Sequence, residues 1–442
     1  MAATMKDVVI VGAGAAGLAA GRALSAAKLR VTILEARDRL GGRIHTLRED
    51  GFPLPVELGA EFIHGTPSET WDIIRAAKLA AYDVADSHWF LNDGRLQSDA
   101  QFWDELGAVL GRLNQLGAHD VSFADFLRDC CRDVPERAKQ MALAYVEGFD
   151  AADPQRVSAR SLADEQQASQ EAQEDRNFRL INGYDRVIEW LAAGLDPKQV
   201  TVRLSSRVDS IHWERGSALV CTDSESVHAD RVLLTLPIGV WKAGDVRVEP
   251  DLVEKKQALE RLEMGPVVKT VLRFREPFWE ESPPPTVAAG ESLRNACFLH
   301  GRGMPVFTWW TWLPVRAAVL VGWSGGPAVA ALSYKPHQEI VDIALQSLSV
   351  FLGIAPADLR SRLEASRVCD WQADPFARGA YSYTLVGGEG AGEMLASPVE
   401  DTLFFAGEAT HAGPSGTVAG ALASGYRAAA EILTAKRGGG NS

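Results

Sequence analysis

The chain of 442 residues carries a net charge of −13, and 46% of its residues are hydrophobic. This length allows two or three domains with a large buried core. Because phosphate binding needs clustered Lys and Arg, the acidic balance argues against a nucleic-acid partner.

Cysteine usage and hydropathy restrict the protein class further. The five cysteines include one adjacent pair and show no CxxC spacing, which fits neither a disulfide framework nor a zinc site. We therefore predict no metal and a reducing compartment. The first strand is expected at about Lys6 with no apolar stretch before it, and no apolar run approaches ~20 residues. A cytoplasmic protein without a membrane segment is predicted.

The first predicted elements are a buried strand, a glycine turn and an Ala-rich helix, in the stretch DVVIVGAGAAGLAAGRALSAA. Gly12, Gly14 and Gly17 occupy the GxGxxG positions of a dinucleotide-binding turn. The next strand ends at Glu35, about 20 residues beyond this turn, where a carboxylate accepts ribose hydroxyls and repels a 2′-phosphate. Glycine turns also occur in ligand-free α/β cores, but together with Glu35 the spacing predicts a dinucleotide other than NADP.

The stretch ARDRLGGRIHT follows directly and contains Gly41, Gly42 and Arg43. An NAD dehydrogenase does not need such a segment. A guanidinium fork suits phosphate, and two glycines leave space for its approach, so we predict that Arg43 contacts the cofactor phosphates. Arg39 is predicted to be a surface cation.

Later elements alternate between helical and strand patterns. Residues 67–190 show mostly apolar residues at helical spacing, as in WDIIRAAKLAAY and PERAKQMALAYVEGF. Residues 200–241 alternate as antiparallel strands and end in the apolar run RVLLTLP, and residues 250–370 mix both patterns. A final helix rich in Ala and Gly is expected to begin near Thr417.

These patterns predict an α/β fold with two domains. A discontinuous Rossmann-like nucleotide domain is interrupted by two insertions, which form an α+β substrate domain with a mixed sheet flanked by helices. The nucleotide domain is assigned to residues 1–70, 191–245 and 376–442, and the substrate domain to residues 71–190 and 246–375. Because ligands bind preferentially in clefts between domains, we expect the active site at their junction.

Seven stretches, taken together, resemble one protein family: VGAGAAGLAAGRAL, EARDRLGGRIHT, ELGAEFIHG, SRVDSI, GPVVKTVLRF, DPFARGAYSY and FFAGEATHAGPSGTVAGAL. They extend over nearly the whole chain and resemble the flavin-containing amine oxidase family, in particular its branch of polyamine oxidases and lysine-specific histone demethylases. The resemblance implies an FAD-binding domain with cofactor contacts from Gly12, Gly14, Ala16, Gly17, Glu35, Ala36, Arg37, Gly42, Arg43, Gly59, Ala60, Val208, Gly407, Glu408, Thr417 and Val418.

Within this set, the resemblance places Arg43 at the FAD pyrophosphate, Val208 at the adenine edge and Glu408 at the ribityl chain. It also places the start of the last helix, with the N–H groups of Thr417 and Val418, beneath the flavin ring. A helix N-terminus carries roughly half a positive charge, which suits the negative charge that a reduced flavin gains around N1 and O2.

The resemblance implies three catalytic residues, Lys269, Trp371 and Tyr381. Lys269 lies in the apolar strand PVVKTVLRF, where alternation alone leaves open whether it faces solvent or the interior. The family likeness implies that Lys269 holds a water at flavin N5 and that burial lowers its pKa. Trp371 and Tyr381 are similar to the aromatic residues that flank the flavin and wall the amine cavity, although Trp and Tyr are also typical core residues.

Three residues are expected to contact the substrate. Glu61 and His64 resemble residues that line the substrate tunnel of polyamine oxidases, where they would bind a distal ammonium group. In monoamine oxidases a second tyrosine completes an aromatic cage around the substrate. Thr417 matches that position, so a cage with an aromatic residue on one side only is expected. Ala380 stands where those enzymes attach FAD through a cysteine, which implies non-covalent FAD.

The predicted function is FAD-dependent oxidation of an amine, with a polyamine as the leading substrate. The α-carbon next to a neutral amine nitrogen would donate a hydride to flavin N5. The resulting imine would hydrolyse to an aldehyde and an amine, and O2 would be reduced to H2O2. The expected partners are a small-molecule amine and O2, in a monomer or homodimer. Glu147 and Glu165 would add negative charge, although no spacing singles them out.

Several alternatives stay open at the level of sequence. A primary monoamine oxidase or an L-amino-acid oxidase would use the same fold, and the latter would need an Arg such as Arg302 or Arg378 to bind the substrate carboxylate. A redox-inert flavoprotein or a chromatin-associated, demethylase-like binding module belongs to another functional class. The presence of Lys269, Trp371 and Tyr381 together favours an enzyme.

Overall fold

The computed structural model describes residues 7–98, 102–117, 119–171, 176–281, 283–411 and 416–435. Its helices are α1 (Ala15–Ala26), α2 (Ser68–Ala77), α3 (Phe102–Leu110), α4 (Phe123–Cys130), α5 (Glu136–Gly148), α6 (Ala159–Glu171), α7 (Asp185–Ala193), α8 (Ile238–Lys242), α9 (Val253–Glu260), α10 (Phe278–Glu281), α11 (His337–Leu352), α12 (Pro356–Arg362), α13 (Ala391–Ala396) and α14 (Val418–Thr434). Its strands are β1 (Asp7–Val11), β2 (Arg30–Leu34), β3 (Thr46–Leu47), β4 (Val56–Glu57), β5 (Ile63–His64), β6 (Ala81–Asp83), β7 (His88–Asn92), β8 (Arg95–Ser98), β9 (Asn177–Leu180), β10 (Val200–Arg203), β11 (Val208–Glu214), β12 (Ser217–Thr222), β13 (Ser226–Ala229), β14 (Arg231–Leu234), β15 (Arg247–Glu249), β16 (Leu262–Gly265), β17 (Val267–Phe274), β18 (Phe298–His300), β19 (Thr308–Trp310), β20 (Val319–Gly325), β21 (Leu363–Asp370), β22 (Tyr381–Thr384) and β23 (Leu403–Phe405).

A parallel five-stranded sheet, in the order β10-β2-β1-β14-β23, forms the centre of the nucleotide-binding domain. Its central strands are largely apolar, with Ile10 on β1 opposite Ile33 on β2 and Leu233 on β14. Apolar strands of this kind are typical of parallel sheets, which are covered on both faces. Three separate segments of the chain build this sheet, and the predicted α/β fold class is confirmed.

Close packing of α1 against α14 explains why both helices have few large side chains. A Cβ added to Gly425 on α14 would lie 2.3 Å from the carbonyl oxygen of Ala16 on α1. A Cβ added to Gly17 would lie 2.0 Å from the carbonyl oxygen of Gly12. Both distances are far below van der Waals contact, so glycine is required at these two positions.

The second domain is built on a mixed seven-stranded sheet in the order β21-β17-β20-β19-β18-β7-β8. Strand β17 pairs antiparallel with both β20 and β21, and nearly all of it is buried. One face of this sheet packs against α11 through a cluster that includes Leu272, Trp309 and Leu345. Helices α3 to α6 form a separate hydrophobic cluster around Phe126 and Met141.

Two segments differ from the predicted secondary structure. Residues 81–98, expected within a helical region, form β6, β7 and β8, because β6 finds a partner in β9 and β7 finds one in β18, both distant in sequence. Residues 200–241 were expected to be antiparallel throughout. Instead β10 and β14 pair in parallel with β2 and β1, whereas β11, β12 and β13 are antiparallel.

Both predicted boundaries of the first insertion lie inside helices. Residue 70 falls within α2, and residue 190 falls within α7. One hydrophobic cluster joins Ile74 of α2 and Ile188 of α7 to Leu18 of α1. Burial of these apolar faces attaches both helices to the nucleotide-binding core.

A cavity of about 1420 Å³ lies between the two domains. Its wall begins at the glycine turn after β1, passes the N-terminus of α14 and the strand β17, and ends among helices α3, α5 and α6. The junction of the domains therefore holds enough space for a cofactor and a substrate together.

No single helix in the described part of the chain has the length and apolar content to cross a membrane, although α11 and α12, bent by 111°, meet those criteria as a pair. Among the same residues, no group of three or more His, Cys, Asp and Glu side chains is placed to hold a metal ion.

Candidate active site

The nucleotide end of the cavity is formed by the glycine turn and the end of β2. Gly12 has a φ of 107°, a conformation that favours glycine. The buried carboxylate of Glu35 accepts hydrogen bonds from the backbone N–H groups of Ala13 (2.7 Å) and Arg37 (2.9 Å). The side chain of Arg37 donates in turn to Asp374, 2.6 Å away. The turn and the carboxylate thus lie together, as a dinucleotide site requires.

The predicted cofactor residues share one wall. All except Gly17 line the cavity: Gly12, Gly14, Ala16, Glu35, Ala36, Arg37, Gly42, Arg43, Gly59, Ala60, Val208, Gly407, Glu408, Thr417 and Val418. A Cβ on Gly407 would meet no atom of the described residues within 4 Å, and a Cβ on Gly14 would meet only the carbonyl oxygen of Gly41, at 4.0 Å. Open space therefore lies beside both glycines, and this cradle fits an extended dinucleotide such as FAD.

An ion pair between Arg43 and Glu408 joins two parts of the cradle. Nη1 of Arg43 donates to Oε1 of Glu408 (2.8 Å) and to the carbonyl oxygen of Ala380 (2.6 Å). The other carboxylate oxygen of Glu408 accepts from the hydroxyl of Ser382 (2.6 Å). Arg39 was predicted to be a surface cation, and this is wrong: it is half-buried and donates to three backbone carbonyl groups of the loop that follows it. These carbonyl groups need donors that the tight loop cannot supply itself.

Lys269 lies on β17 and lines the cavity. Val268 packs on the α11 side of the sheet, so strand alternation directs Lys269 to the opposite face. Lys269 is 1% exposed, and its Nζ donates to the carbonyl oxygen of Gly59 (3.2 Å) and to the carboxylate of Glu61. Burial lowers the pKa of Lys269 to about 7, although the negative charge of Glu57 opposes this shift. The solvent-facing alternative for Lys269 is thereby excluded.

Glu61 is the centre of a buried network of charges. One carboxylate oxygen contacts Lys269, and the other accepts a hydrogen bond from Nε1 of Trp310 (3.1 Å) and forms an ion pair with Arg179 on β9. Both oxygens of Glu61 therefore have partners within the protein. Sequence reasoning missed Trp310, which lies 249 residues from Glu61 along the chain, and Arg179, which has no local motif.

Trp371 directly follows β21, Tyr381 begins β22, and both side chains line the cavity. Nε1 of the buried Trp371 donates to the carbonyl oxygen of Leu58 (3.0 Å). The hydroxyl of Tyr381 donates to the carbonyl oxygen of Phe149 (2.5 Å), directly after α5. Burial, and to a smaller extent the negative charge of Asp150, raises the pKa of Tyr381, so its phenol stays neutral.

Thr417 and Val418 begin α14 at the cavity wall. Thr417 is the N-cap residue, and its hydroxyl accepts a hydrogen bond from the backbone N–H of Gly420 (2.9 Å). The predicted start of this helix is confirmed. The first N–H groups of a helix lack partners within it and carry partial positive charge, which suits an electron-rich acceptor in the cavity.

His64, Phe149, Asp150 and Glu165 also line the cavity. Nδ1 of His64 donates to the side-chain oxygen of Asn177 (2.7 Å), and burial lowers the pKa of His64, so the ring is neutral. The carboxylate of Asp150 has no hydrogen-bond or ion-pair partner among the described residues. Burial, followed by the negative charge of Glu165, raises the pKa of Asp150 well above its usual range. A cation bound here would relieve both unfavourable effects.

The acidic residues of the helical insertion could not be ranked from the sequence. Glu165 lines the cavity, whereas Glu147 is not part of the described wall. Asp150 was missed because it lies in an irregular segment between α5 and α6, where no periodicity applies. Only the fold, which brings this segment to Tyr381, places the carboxylate in the cavity.

Comparison with known sequences agrees with this site. The family described as flavin containing amine oxidoreductase matches residues 15–433. Polyamine oxidase 4 of Oryza sativa subsp. japonica is 30% identical over 469 residues, which cover 97% of this chain and 89% of that protein. Lysine-specific histone demethylase 1 homolog 3 of Arabidopsis thaliana is 30% identical over 98% of this chain, which spans 30% of that protein.

A solved structure shows the same fold. Wild-type putrescine oxidase bound to putrescine has a TM-score of 0.80 and 23% sequence identity, over 97% of this chain and 99% of that one. The predicted family resemblance is confirmed by the family match and by the curated relatives. The chain therefore belongs to the flavin-containing amine oxidoreductase family and is a flavin-dependent enzyme that oxidises amines.

Proposed function

We propose that the protein is an FAD-dependent polyamine oxidase that binds FAD non-covalently. The observation that carries this proposal is the carboxylate of Asp150, which lines the same cavity as Lys269 and Tyr381 and has no partner among the described residues. A polyamine carries an ammonium group several carbons away from the nitrogen that is oxidised. A second carboxylate on the cavity wall, apart from the charges around Lys269, supplies the charge that such a group needs.

The cradle supplies the contacts that FAD requires. Glu35 would accept the ribose hydroxyls, Arg43 would contact the phosphates, and the start of α14 would face the flavin ring. When bound, FAD would accept a hydride from the α-carbon next to the amine nitrogen and pass the electrons to O2, which gives H2O2. Ala380 offers no thiol for a covalent link.

The side chains at the reactive end keep the amine dry and neutral. Trp371 and Tyr381 present aromatic surface and exclude water from the wall beside Lys269. An amine is oxidised in its neutral form, because its lone pair drives the departure of the hydride. The cation of Lys269 disfavours a protonated amine beside it, whereas Asp150 and Glu165 favour one beside them.

The structure favours this proposal over an L-amino-acid oxidase. Arg378 was one candidate for binding a substrate carboxylate, but its guanidinium is already bound by Asp245, at 2.7 and 3.2 Å. Arg302 is exposed at the cavity and stays the candidate for that alternative. The substrate of a primary monoamine oxidase carries no second ammonium group that could bind the carboxylate of Asp150.

Anaerobic mixing of the purified protein with spermine, spermidine, putrescine, benzylamine and L-amino acids tests the substrate class. Polyamines are expected to bleach the visible absorbance of the flavin most rapidly. Bleaching by benzylamine alone would establish the monoamine alternative, and bleaching by amino acids alone would overturn the polyamine assignment.

Replacement of Asp150 by Asn is expected to raise KM for spermidine far more than KM for benzylamine. Loss of a charged hydrogen-bond partner costs about 1.5–3 kcal/mol, or about 10-fold to 150-fold in affinity. Because the pKa of Asp150 is raised, its carboxyl group ionises late as the pH rises. KM for spermidine in the native protein should therefore fall with increasing pH, and the Asp150→Asn variant should lose this dependence. Steady-state kinetics over the neutral pH range would measure both effects.

Glu147→Gln is the matched control for this prediction. Burial also raises the pKa of Glu147, three residues before Asp150, but Glu147 is not part of the described cavity wall. Its replacement should leave both KM values unchanged. Equal losses for spermidine and benzylamine in Asp150→Asn would contradict a role in binding the distal ammonium group.

A further inference from the structure

Four ionisable side chains lie buried together next to the reactive end of the cavity. Lys269, Arg179, Glu61 and Glu57 are 1%, 5%, 6% and 8% exposed, respectively. Removing charges from water is costly unless each charge has a partner. Glu61 supplies that partner for two cations at once, because one of its oxygens contacts Lys269 and the other contacts Arg179.

We propose that Glu61 and Arg179 are positioning residues for Lys269: Glu61 holds the ammonium group as a fixed cation on the cavity wall, and Arg179 holds Glu61 in place. This proposal rests on the proposed function. The cavity wall then carries a cation at Lys269 and carboxylates at Asp150 and Glu165. A polyamine is oriented by these charges, with a neutral amine beside Lys269 and an ammonium group beside Asp150.

The contacts of Arg179 and Glu61 suit this role. Nη1 of Arg179 donates to the carbonyl oxygen of Thr311 (3.4 Å), and its guanidinium carbon lies 5.5 Å from the ring centroid of Phe62. Glu61 has a third donor in Trp310 (3.1 Å). A carboxylate held by three donors cannot turn towards a substrate, so Glu61 serves Lys269 rather than a distal ammonium group.

The charge of Lys269 depends on the groups that face it. These are Glu61 from the loop after β4, Glu57 from β4, Arg179 from β9 and the thiol of Cys369 on β21. Burial lowers the pKa of Lys269 and raises the pKa of Glu57, whose negative charge opposes the shift of Lys269. Glu61 is the carboxylate in direct contact with the ammonium group. An opposite charge in contact shifts a pKa by about 1–3 pH units.

The nearly isosteric variant Glu61→Gln tests the proposal with FAD bound. In the native protein, the reduction potential of the bound FAD should change with pH around an inflection near pH 7, the pKa of Lys269. Glu61→Gln should move this inflection down by about 1–3 pH units. Glu61→Asp, which keeps the carboxylate, should restore it, and Lys269→Met should abolish it. An inflection at the same pH in Glu61→Gln would overturn the proposal.

A second carboxylate between two cations provides the control. Glu263 on β16 contacts Lys242 (3.0 Å) and Arg156 (2.9 Å) and is not part of the described cavity wall. Glu263→Gln removes a similar pair of contacts elsewhere and should leave the inflection of the potential unchanged. A shift as large as that of Glu61→Gln would show that the effect is not specific to Lys269.

A measurement without FAD separates this proposal from the proposed function. Thermal unfolding of the apoprotein is compared among Glu61→Gln, Lys269→Met and the double variant. The double variant should lose less than the sum of the single losses, because it removes both charges of one pair. Additive losses would contradict the pairing. If Glu61→Gln alone does not fold, recovery of folding in the double variant supports the pair, and no recovery contradicts it. A protein that fails to bind FAD but shows this coupling refutes only the proposed function.

Discussion

Replacement of Lys269 by Met is expected to lower kcat for amine oxidation by about 10²-fold to 10⁴-fold while FAD remains bound, the range typical for loss of a positioned group that holds or moves a proton. Met fills much of the same space but carries neither the charge nor the proton of the ammonium group. Lys269 lines the cavity beside the cofactor cradle, and its hydrogen bonds go to Gly59 and Glu61 and not to the glycine turn, Glu35 or the start of α14. Oxygen consumption with spermidine measures kcat, and the ratio of flavin to protein absorbance measures FAD content.

Lys255 supplies the control for this variant, because it is a second buried lysine and is not part of the described cavity wall. Its Nζ donates to the carbonyl oxygens of Met394 (2.6 Å) and Ser397 (2.5 Å). Lys255→Met should lower the melting temperature and leave kcat unchanged. Unaltered kinetics in Lys269→Met would remove Lys269 from the mechanism, and equal losses of kcat in both variants would indicate a general packing effect.

Replacement of Gly14 by Ala is expected to weaken FAD binding by about 5-fold to 150-fold, since overpacking of a close contact costs about 1–3 kcal/mol. Gly14 has a φ of −76°, which Ala also adopts, and the added Cβ would meet only the carbonyl oxygen of Gly41, at 4.0 Å, among the described residues. The methyl group therefore fits the protein and occupies the space where the cofactor backbone must approach. Titration of the apoprotein with FAD measures affinity, and circular dichroism verifies the fold.

Two other glycines distinguish a cofactor effect from a folding effect. Gly111, directly after α3, is exposed and not part of the described cavity wall, so Gly111→Ala should leave affinity and fold intact. At Gly17, a Cβ would lie 2.0 Å from the carbonyl oxygen of Gly12, so Gly17→Ala should impair folding itself. Undiminished FAD affinity in a folded Gly14→Ala protein would contradict the location of the cradle.

The nucleotide-binding unit could be predicted from the sequence because its signals are local. Gly12 and Gly14 form one turn, and Glu35 directly follows the next strand. Thr417 caps the helix that it precedes. In each case the conformation depends on residues a few positions away, so a short stretch of sequence carries enough information to identify it. The order of such stretches along the chain also identified the family.

Other features depend on partners that are distant in sequence. The strands β6 to β8 lie in a region with helical patterning, and their pairing with β9 and β18 overrides that local preference. Strand alternation could not decide whether Lys269 faces solvent, because both faces of β17 are apolar. In the structure, α11 covers one face of β17 and the nucleotide domain lies opposite the other face, where Lys269 points into the cavity.

The chemistry of a charged side chain was the least accessible property from sequence alone. Glu61 was expected to bind an ammonium group of the substrate, yet the fold brings it against Lys269, Arg179 and Trp310. Asp150 was not identified as a site residue from the sequence, yet its carboxylate lines the cavity without a partner among the described residues. Local sequence thus specified the cofactor turn and the helix that faces it. Tertiary packing assigned the charges of the site, because the energy of a buried charge depends on which distant groups surround it.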